Sequence, residues 1–172
     1  MDFLTLAKSR YSVRAYQNRK VEAETLEKIL LSAHVAPTAA NRQPVKLIVV
    51  QKEEGLQKIS KSANLYGAPL AVIVCADHSK VWTRSCDGSN TAQIDAAILT
   101  DHMMLQAADL GLGSVWICAF SPDSIREEFD LPDSLEPVNI LAVGYPSQPP
   151  ADPERHAAKR RPLSDLVCYE TL

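Results

Sequence analysis

Arg10, Ser12 and Arg14 stand two positions apart near the start of the chain, with Tyr11 and Val13 between them. Side chains alternate sides along an extended segment, so this spacing sends Arg10, Ser12 and Arg14 the same way. Two fixed positive charges and a hydroxyl on one side suit a phosphate, because a planar guanidinium can bind two of its oxygens at once. A second basic run, Lys159-Arg160-Arg161, lies near the other end. It would supply the opposite wall of an anion pocket if the fold brings the two ends together, and is otherwise a solvated face.

Two further segments carry chemistry-bearing groups. Pro37-Thr38-Ala39-Ala40-Asn41-Arg42-Gln43-Pro44 places two amides, Asn41 and Gln43, two residues apart. In an extended loop they face one side and can read the carbonyl and imide edge of a ring; the plainer reading is a polar, turn-rich connection. Gly111 to Pro122 is a glycine-rich helix stop, a strand and a helix start in succession. Backbone N–H groups at such a strand end can bind a ligand without side-chain help, or the segment is simply core strand and cap.

The elements that must position these groups follow from hydrophobic periodicity. Helices are predicted over 2–8, 22–34, 53–62 and 91–110, with another capped by Ser121 and ending near Phe129. In the longest, Ile94, Ala97, Ile98, Leu105 and Ala108 form an apolar face. Short apolar runs predict strands over 46–51, 70–76, 114–118 and 138–143. Residues 78–89 read as an exposed loop or short helical excursion, and 147–172 as an extended tail whose Leu163, Leu166 and Val167 dock on another surface. Four strands interleaved with helices give an α+β layered domain over 1–172.

Composition narrows the function. The 172 residues are 46% hydrophobic, enough for a sizeable core, and the net charge of −3 gives no cause to expect nucleic acid or membrane as partner. No signal peptide or membrane span is seen, so a cytoplasmic location is expected. Cys75 and Cys118 sit in apolar runs and read as buried thiols. No glycine-rich nucleotide loop, nucleophile elbow or metal-ligand spacing occurs, so no metal site is expected.

Taken in order, these segments resemble the FMN-dependent nitroreductase family: Arg-x-Ser-x-Arg, then Pro-Thr-Ala-Ala-Asn-Arg-Gln-Pro, then a long helix containing Asp95 that runs into Gly-Leu-Gly-Ser-Val-Trp-Ile, then Lys-Arg-Arg-Pro-Leu. The likeness spans Ser9 to Val167. It implies an α+β sandwich on a central mixed, mostly antiparallel sheet, and an intertwined homodimer with FMN at the interface. Arg10, Tyr11, Ser12 and Arg14 match the phosphate-binding segment, and Arg160 and Arg161 its C-terminal basic contact. Pro37, Thr38, Ala39, Asn41 and Gln43 match the loop that reaches FMN across the interface. Cys118 and Ala119 match the strand end whose backbone faces the flavin. Catalysis would then need no dedicated side chain: NADH or NADPH reduces FMN, and a nitroaromatic, quinone or similar acceptor reoxidises it by ping-pong hydride transfer. Flavin reductase or dehalogenase activity, or a non-catalytic FMN-binding dimer, is the alternative. The compact 78–89 segment makes Trp82, Arg84 and Phe120 candidates to line a substrate channel.

Overall fold

A computed structural model describes residues 1–171; Leu172, the last residue of the expected tail, lies outside them. The elements run α1 (Phe3–Ser9), α2 (Ala23–His34), β1 (Val45–Val50), α3 (Glu53–Ser60), β2 (Leu70–Asp77), α4 (Ala92–Asp109), β3 (Gly113–Ile117), α5 (Pro122–Glu128), β4 (Leu135–Gly144) and α6 (Arg155–Lys159), with 3₁₀ turns at Ala39–Asn41 and Leu163–Asp165. The strands form one antiparallel sheet in the order β1-β2-β4-β3. A parallel bridge between Ser12 and Ser114 adds the N-terminal segment to its β3 edge, so the sheet is mixed at that margin alone.

Both faces of the sheet are covered, which is why its central strand reads as an unbroken apolar run. Leu70, Val72 and Val74 of β2 pack with α2 and α4 residues in one core. Ala71, Ile73 and Cys75 point the other way, among Ile59 of α3 and Ile125 of α5. β4 begins three residues earlier than expected. Pro137 cannot donate a ladder bond, and the register shift opposite Val74 and Cys75 accommodates it.

Three expectations are corrected and one is narrowed. The inward face of α4 is Ala92, Ala96, Leu99, Met103 and Ala107, whereas Ile94 is 58% exposed. The helix is apolar on more than one side, and its small residues are the ones that let it lie close on the sheet. Cys118 is exposed, because β3 ends at Ile117 before reaching it; Cys75 is buried. Of the two readings of 78–89, the exposed loop holds and the helical excursion does not: residues 83–90 are exposed and close as a tight hairpin, with Thr83 bridged to Asn90 and Arg84 held to Asp87 by two hydrogen bonds of 2.8 and 2.6 Å. The tail is not extended throughout: Arg155 turns it back onto the N-terminal segment, and α6 follows.

The N-terminal segment approaches β3 closely enough to require glycine. The Val13 N–H donates to the Ser114 carbonyl at 2.9 Å, and a Cβ on Gly113 would stand 2.8 Å from that of Val13 and 3.0 Å from Cγ of Pro146. The Tyr16 hydroxyl fixes the same segment by donating to the Val13 carbonyl at 2.9 Å. Gly113→Ala is therefore expected to destabilise the fold by about 1–3 kcal/mol, lowering Tm by roughly 2–4 °C per kcal/mol in thermal unfolding.

Farther along, Glu22 accepts from the Tyr145 hydroxyl and from Arg19, whose guanidinium lies 3.8 Å from the Tyr145 ring centroid. The phenol first, then Arg19, hold the Glu22 carboxyl down at about 2, from an ordinary value of 4.5. A depressed carboxyl contributes stability above its unfolded value, and that contribution is lost as pH falls from 4.5 towards 2. Tyr145→Phe is expected to raise the Glu22 titration midpoint, read by NMR, and to shrink the loss of Tm over that window.

Candidate functional site

The two ends of the chain meet at a cationic cleft. Nη1 of Arg155 donates to the carbonyl oxygens of Lys8 at 3.0 Å and Asp152 at 2.8 Å, and Nη2 to that of Arg10 at 2.6 Å. Nε2 of His156 lies 3.2 Å from the Lys8 carbonyl. This tie carries Lys159 and Arg160 to the wall facing Arg10, Tyr11 and Ser12, around a cleft of about 330 Å³. Burial pushes the Arg10 guanidinium below its usual value, and the Arg155 and Arg160 charges push it the same way, opposed by Asp101. Such a cluster repels itself until an anion enters.

Two expected residues stand apart. Arg161 is exposed and does not line the cleft. Arg14 leans over Tyr66, 5.8 Å from the ring centroid. The segment runs parallel to β3, so Arg10 lies towards the start of that strand and Arg14 towards its end. Beyond that end Cys118 and Ala119 are exposed, and their N–H groups have no hydrogen-bond partner among the described residues. Phe120 packs against the second core, and Trp82 is half-buried at the base of the hairpin.

The second amide-bearing segment is not extended. After an extended Thr38 it turns through Ala40, Asn41 and Gln43 at φ of 49, 53 and 51°. Left-handed residues other than glycine cost of order 1–3 kcal/mol each and persist where the surroundings fix them. Here Ala39 N–H donates to Oδ1 of Asp95 at 2.9 Å, and Gln43 N–H to Oγ1 of Thr38 at 3.0 Å. The Gln43 amide donates to Oδ1 of Asn41 at 3.1 Å, so the two amides share one exposed surface, paired to each other. Pro37 leads into this turn, and Pro44, buried, closes it.

One copy of the chain does not bring all these groups together. Asp95 holds the Thr38 loop at the first turn of α4, whereas Arg10, Tyr11 and Val13 neighbour Ala108, Gly111 and Gly113 at its other end. Thirteen residues of helix from Asp95 to Ala108 span about 20 Å. The largest cleft, about 1340 Å³ between α2 and α3, contains none of the expected residues and is lined by charges of both signs.

The nitroreductase family model matches residues 7–65 and 60–145, which takes in the Arg10–Arg14 segment, the Thr38 loop and the β3 strand end. The chain belongs to the nitroreductase family. Among solved structures, a nitroreductase family protein from Clostridium difficile is 62% identical, with a TM-score of 0.98 over 100% of both chains. An FMN-dependent nitroreductase of the same species is 28% identical, with a TM-score of 0.79 over 99% of this chain and 100% of that one. A protein of Methanothermobacter thermautotrophicus, provisionally named NADH dehydrogenase/NAD(P)H nitroreductase, is 34% identical over 90% of this chain and 85% of its own length.

Sequence reasoning missed the tie made by Arg155, which lies outside the basic run Lys159-Arg160-Arg161. It also gave Asp95 no role, because an acid in the first turn of a helix is ordinarily placed there by the helix dipole alone. Arg155→Ala is expected to free α6 from the N-terminal segment. Limited proteolysis would then cut between residues 150 and 160 far faster than in the parent, with the sheet left intact.

Proposed function

We propose that this nitroreductase is a cytoplasmic FMN-dependent NAD(P)H oxidoreductase, acting as a homodimer in which residues 1–172 of each copy form one flavin-binding unit. The observation that carries this reading is the cleft of Arg10, Ser12, Lys159 and Arg160 at the start of β3, a strand whose far end carries free N–H groups. A phosphate monoester, with a charge of about −1.5 to −2, would offset both the burial that chiefly lowers Arg10 and the repulsion from Arg155 and Arg160. The parallel run along β3 then sets the distance between the phosphate and the ring. Arg14 and the N–H groups of Cys118 and Ala119 lie where a ring attached to that phosphate would extend.

Bound FMN supplies two-electron transfer between a nicotinamide and a nitroaromatic, quinone or related acceptor. The chain's own work is to hold the phosphate, orient the ring and exclude water from one face. The second copy is needed because the Thr38 loop stands at the far end of α4: the partner subunit brings its own loop, Pro37 to Gln43, to this phosphate cleft. An apolar face suited to that contact exists. Phe3, Leu31 and Val35 are exposed at 69, 51 and 74%, around a groove also lined by Leu105. Leu163, Leu166 and Val167 of the tail, exposed in one copy, pack on the partner. No helix among the described residues is long and apolar enough to cross a membrane.

Protein purified with added FMN is expected to show the visible absorbance of oxidised flavin and to bleach on anaerobic mixing with NADH or NADPH. A colourless protein that ignores FMN would overturn the reading. Arg160→Ala removes a charge-assisted bond of about 1.5–3 kcal/mol, so FMN affinity is expected to fall at least about tenfold. Arg161→Ala, outside the cleft, is expected to leave it nearly unchanged in the same titration.

A further inference from the structure

Asp95 is the least exposed charged side chain of the core, at 1%, yet it makes no ion pair among the described residues. A buried carboxylate without a counter-charge needs hydrogen bonds to remain there. It has two from outside its own backbone. Oδ1 accepts the Ala39 N–H at 2.9 Å, and Oδ2 accepts the Thr91 hydroxyl at 2.9 Å. Its place in the first turn of α4 adds the favourable end of the helix dipole.

Each of those partners leads somewhere. Ala39 opens the turn whose next residues, Ala40 and Asn41, are left-handed, followed by Gln43. Thr91 joins α4 to the 83–90 hairpin, because its N–H donates to the Trp82 carbonyl at 3.1 Å. The hairpin is held shut by Arg84 N–H on the Ser89 carbonyl and by the Arg84–Asp87 pair. Asp95 thus stands between a rigid hairpin and a strained loop, and bonds the loop at the residue before the strain begins.

We propose that Asp95 is the positioning residue of the flavin-contacting loop: its carboxylate holds Ala39 so that Ala40, Asn41 and Gln43 keep their left-handed turn, and it ties that turn to the 83–90 hairpin through Thr91. The flavin-contacting part of this statement rests on the reading above; the holding of the turn does not. Asp95 touches no reacting atom. Its effect on flavin passes through the backbone of a loop that works in the partner subunit's site.

The test compares the full-length parent with Asp95→Ala and Asp95→Asn in two arms. The first, without flavin, measures amide hydrogen exchange of residues 38–43 against 70–77 of the sheet. Asp95→Ala leaves the Ala39 N–H without its acceptor, and exchange in 38–43 is expected to rise about tenfold or more while 70–77 stays at the parent rate. Asp95→Asn retains an acceptor oxygen for Ala39, and is expected to restore slow exchange. The second arm titrates FMN and records its visible circular dichroism: Asp95→Ala is expected to weaken binding about tenfold and alter the band shape, with Asp95→Asn close to the parent. If Asp95→Ala does not fold, Thr91→Val replaces it, with the same direction of change expected. Unchanged exchange in 38–43 would overturn the proposal. So would faster exchange with FMN bound as tightly and with the same spectrum as in the parent, because the loop would then not be the one flavin meets. A parent that takes up no FMN would instead overturn the functional reading, and the exchange arm would still decide whether Asp95 holds the turn.

Discussion

The guanidinium of Arg155 bonds the carbonyl oxygens of Lys8, Arg10 and Asp152, and so joins the two ends of the chain at one point. The cationic cleft depends on that junction. Without it α6 would be tied to the N-terminal segment only by the longer His156 and Glu154 contacts to Lys8, and Lys159 and Arg160 would face Arg10 less firmly. The junction depends in turn on the N-terminal segment lying flat against β3, which Gly113 permits and Val13 and Tyr16 secure. Gathering several cations with one of them half-buried opposes folding slightly. The arrangement is sustained by neutral acceptors, the backbone carbonyls, and leaves the charges themselves for a ligand.

The sheet and α4 set the scale of the site. β3 carries the Arg10–Ser12 segment at its start and free N–H groups at its end, so under the proposed function one strand would fix both the place and the direction of the flavin. α4 separates that assembly from the strained Thr38 loop by about 20 Å. The same helix is apolar on two faces. One lies on the sheet, and the other, with α1 and α2, remains uncovered in a single copy. Distance along a helix and an unpartnered apolar face both support the proposal that the working unit is two chains.

Much of this was legible in the residues. Hydrophobic periodicity located the helices of the layers and the four strands to within a few residues, because both cores are built from regular alternation. The Arg10 and Ser12 half of the cleft was legible from two-residue spacing in an extended segment, but the same spacing wrongly included Arg14, which lies over Tyr66 instead. What the pattern could not carry was three-dimensional return. Arg155 acts through backbone carbonyls some 145 residues away, and nothing in its local sequence separates it from Arg161. The Thr38 segment looked extended because alanine and glutamine do not advertise a left-handed turn; the turn is held by Thr38 and Asn41 from within and by Asp95 from another element, and that second contact is not visible in the local sequence. α4 misled for a different reason. Its apolar residues are spread round the helix, so periodicity did not separate the sheet-facing set, Ala92, Ala96, Leu99, Met103 and Ala107, from the side on which Ile94 is exposed.

The central claim is that each flavin site is assembled from opposite ends of α4 on two chains, and mixed dimers test it most directly. A chain carrying Arg10→Glu, defective in the phosphate cleft, is paired with a differently tagged chain carrying Ala40→Val, whose β-branched residue cannot hold the left-handed turn. Each variant alone is expected to lose FMN. In the hybrid, one site collects both defects and the other none, so flavin recovers to one per dimer. A hybrid that binds no FMN, although both chains are folded and paired, would mean that each site is completed within a single chain and would contradict the account.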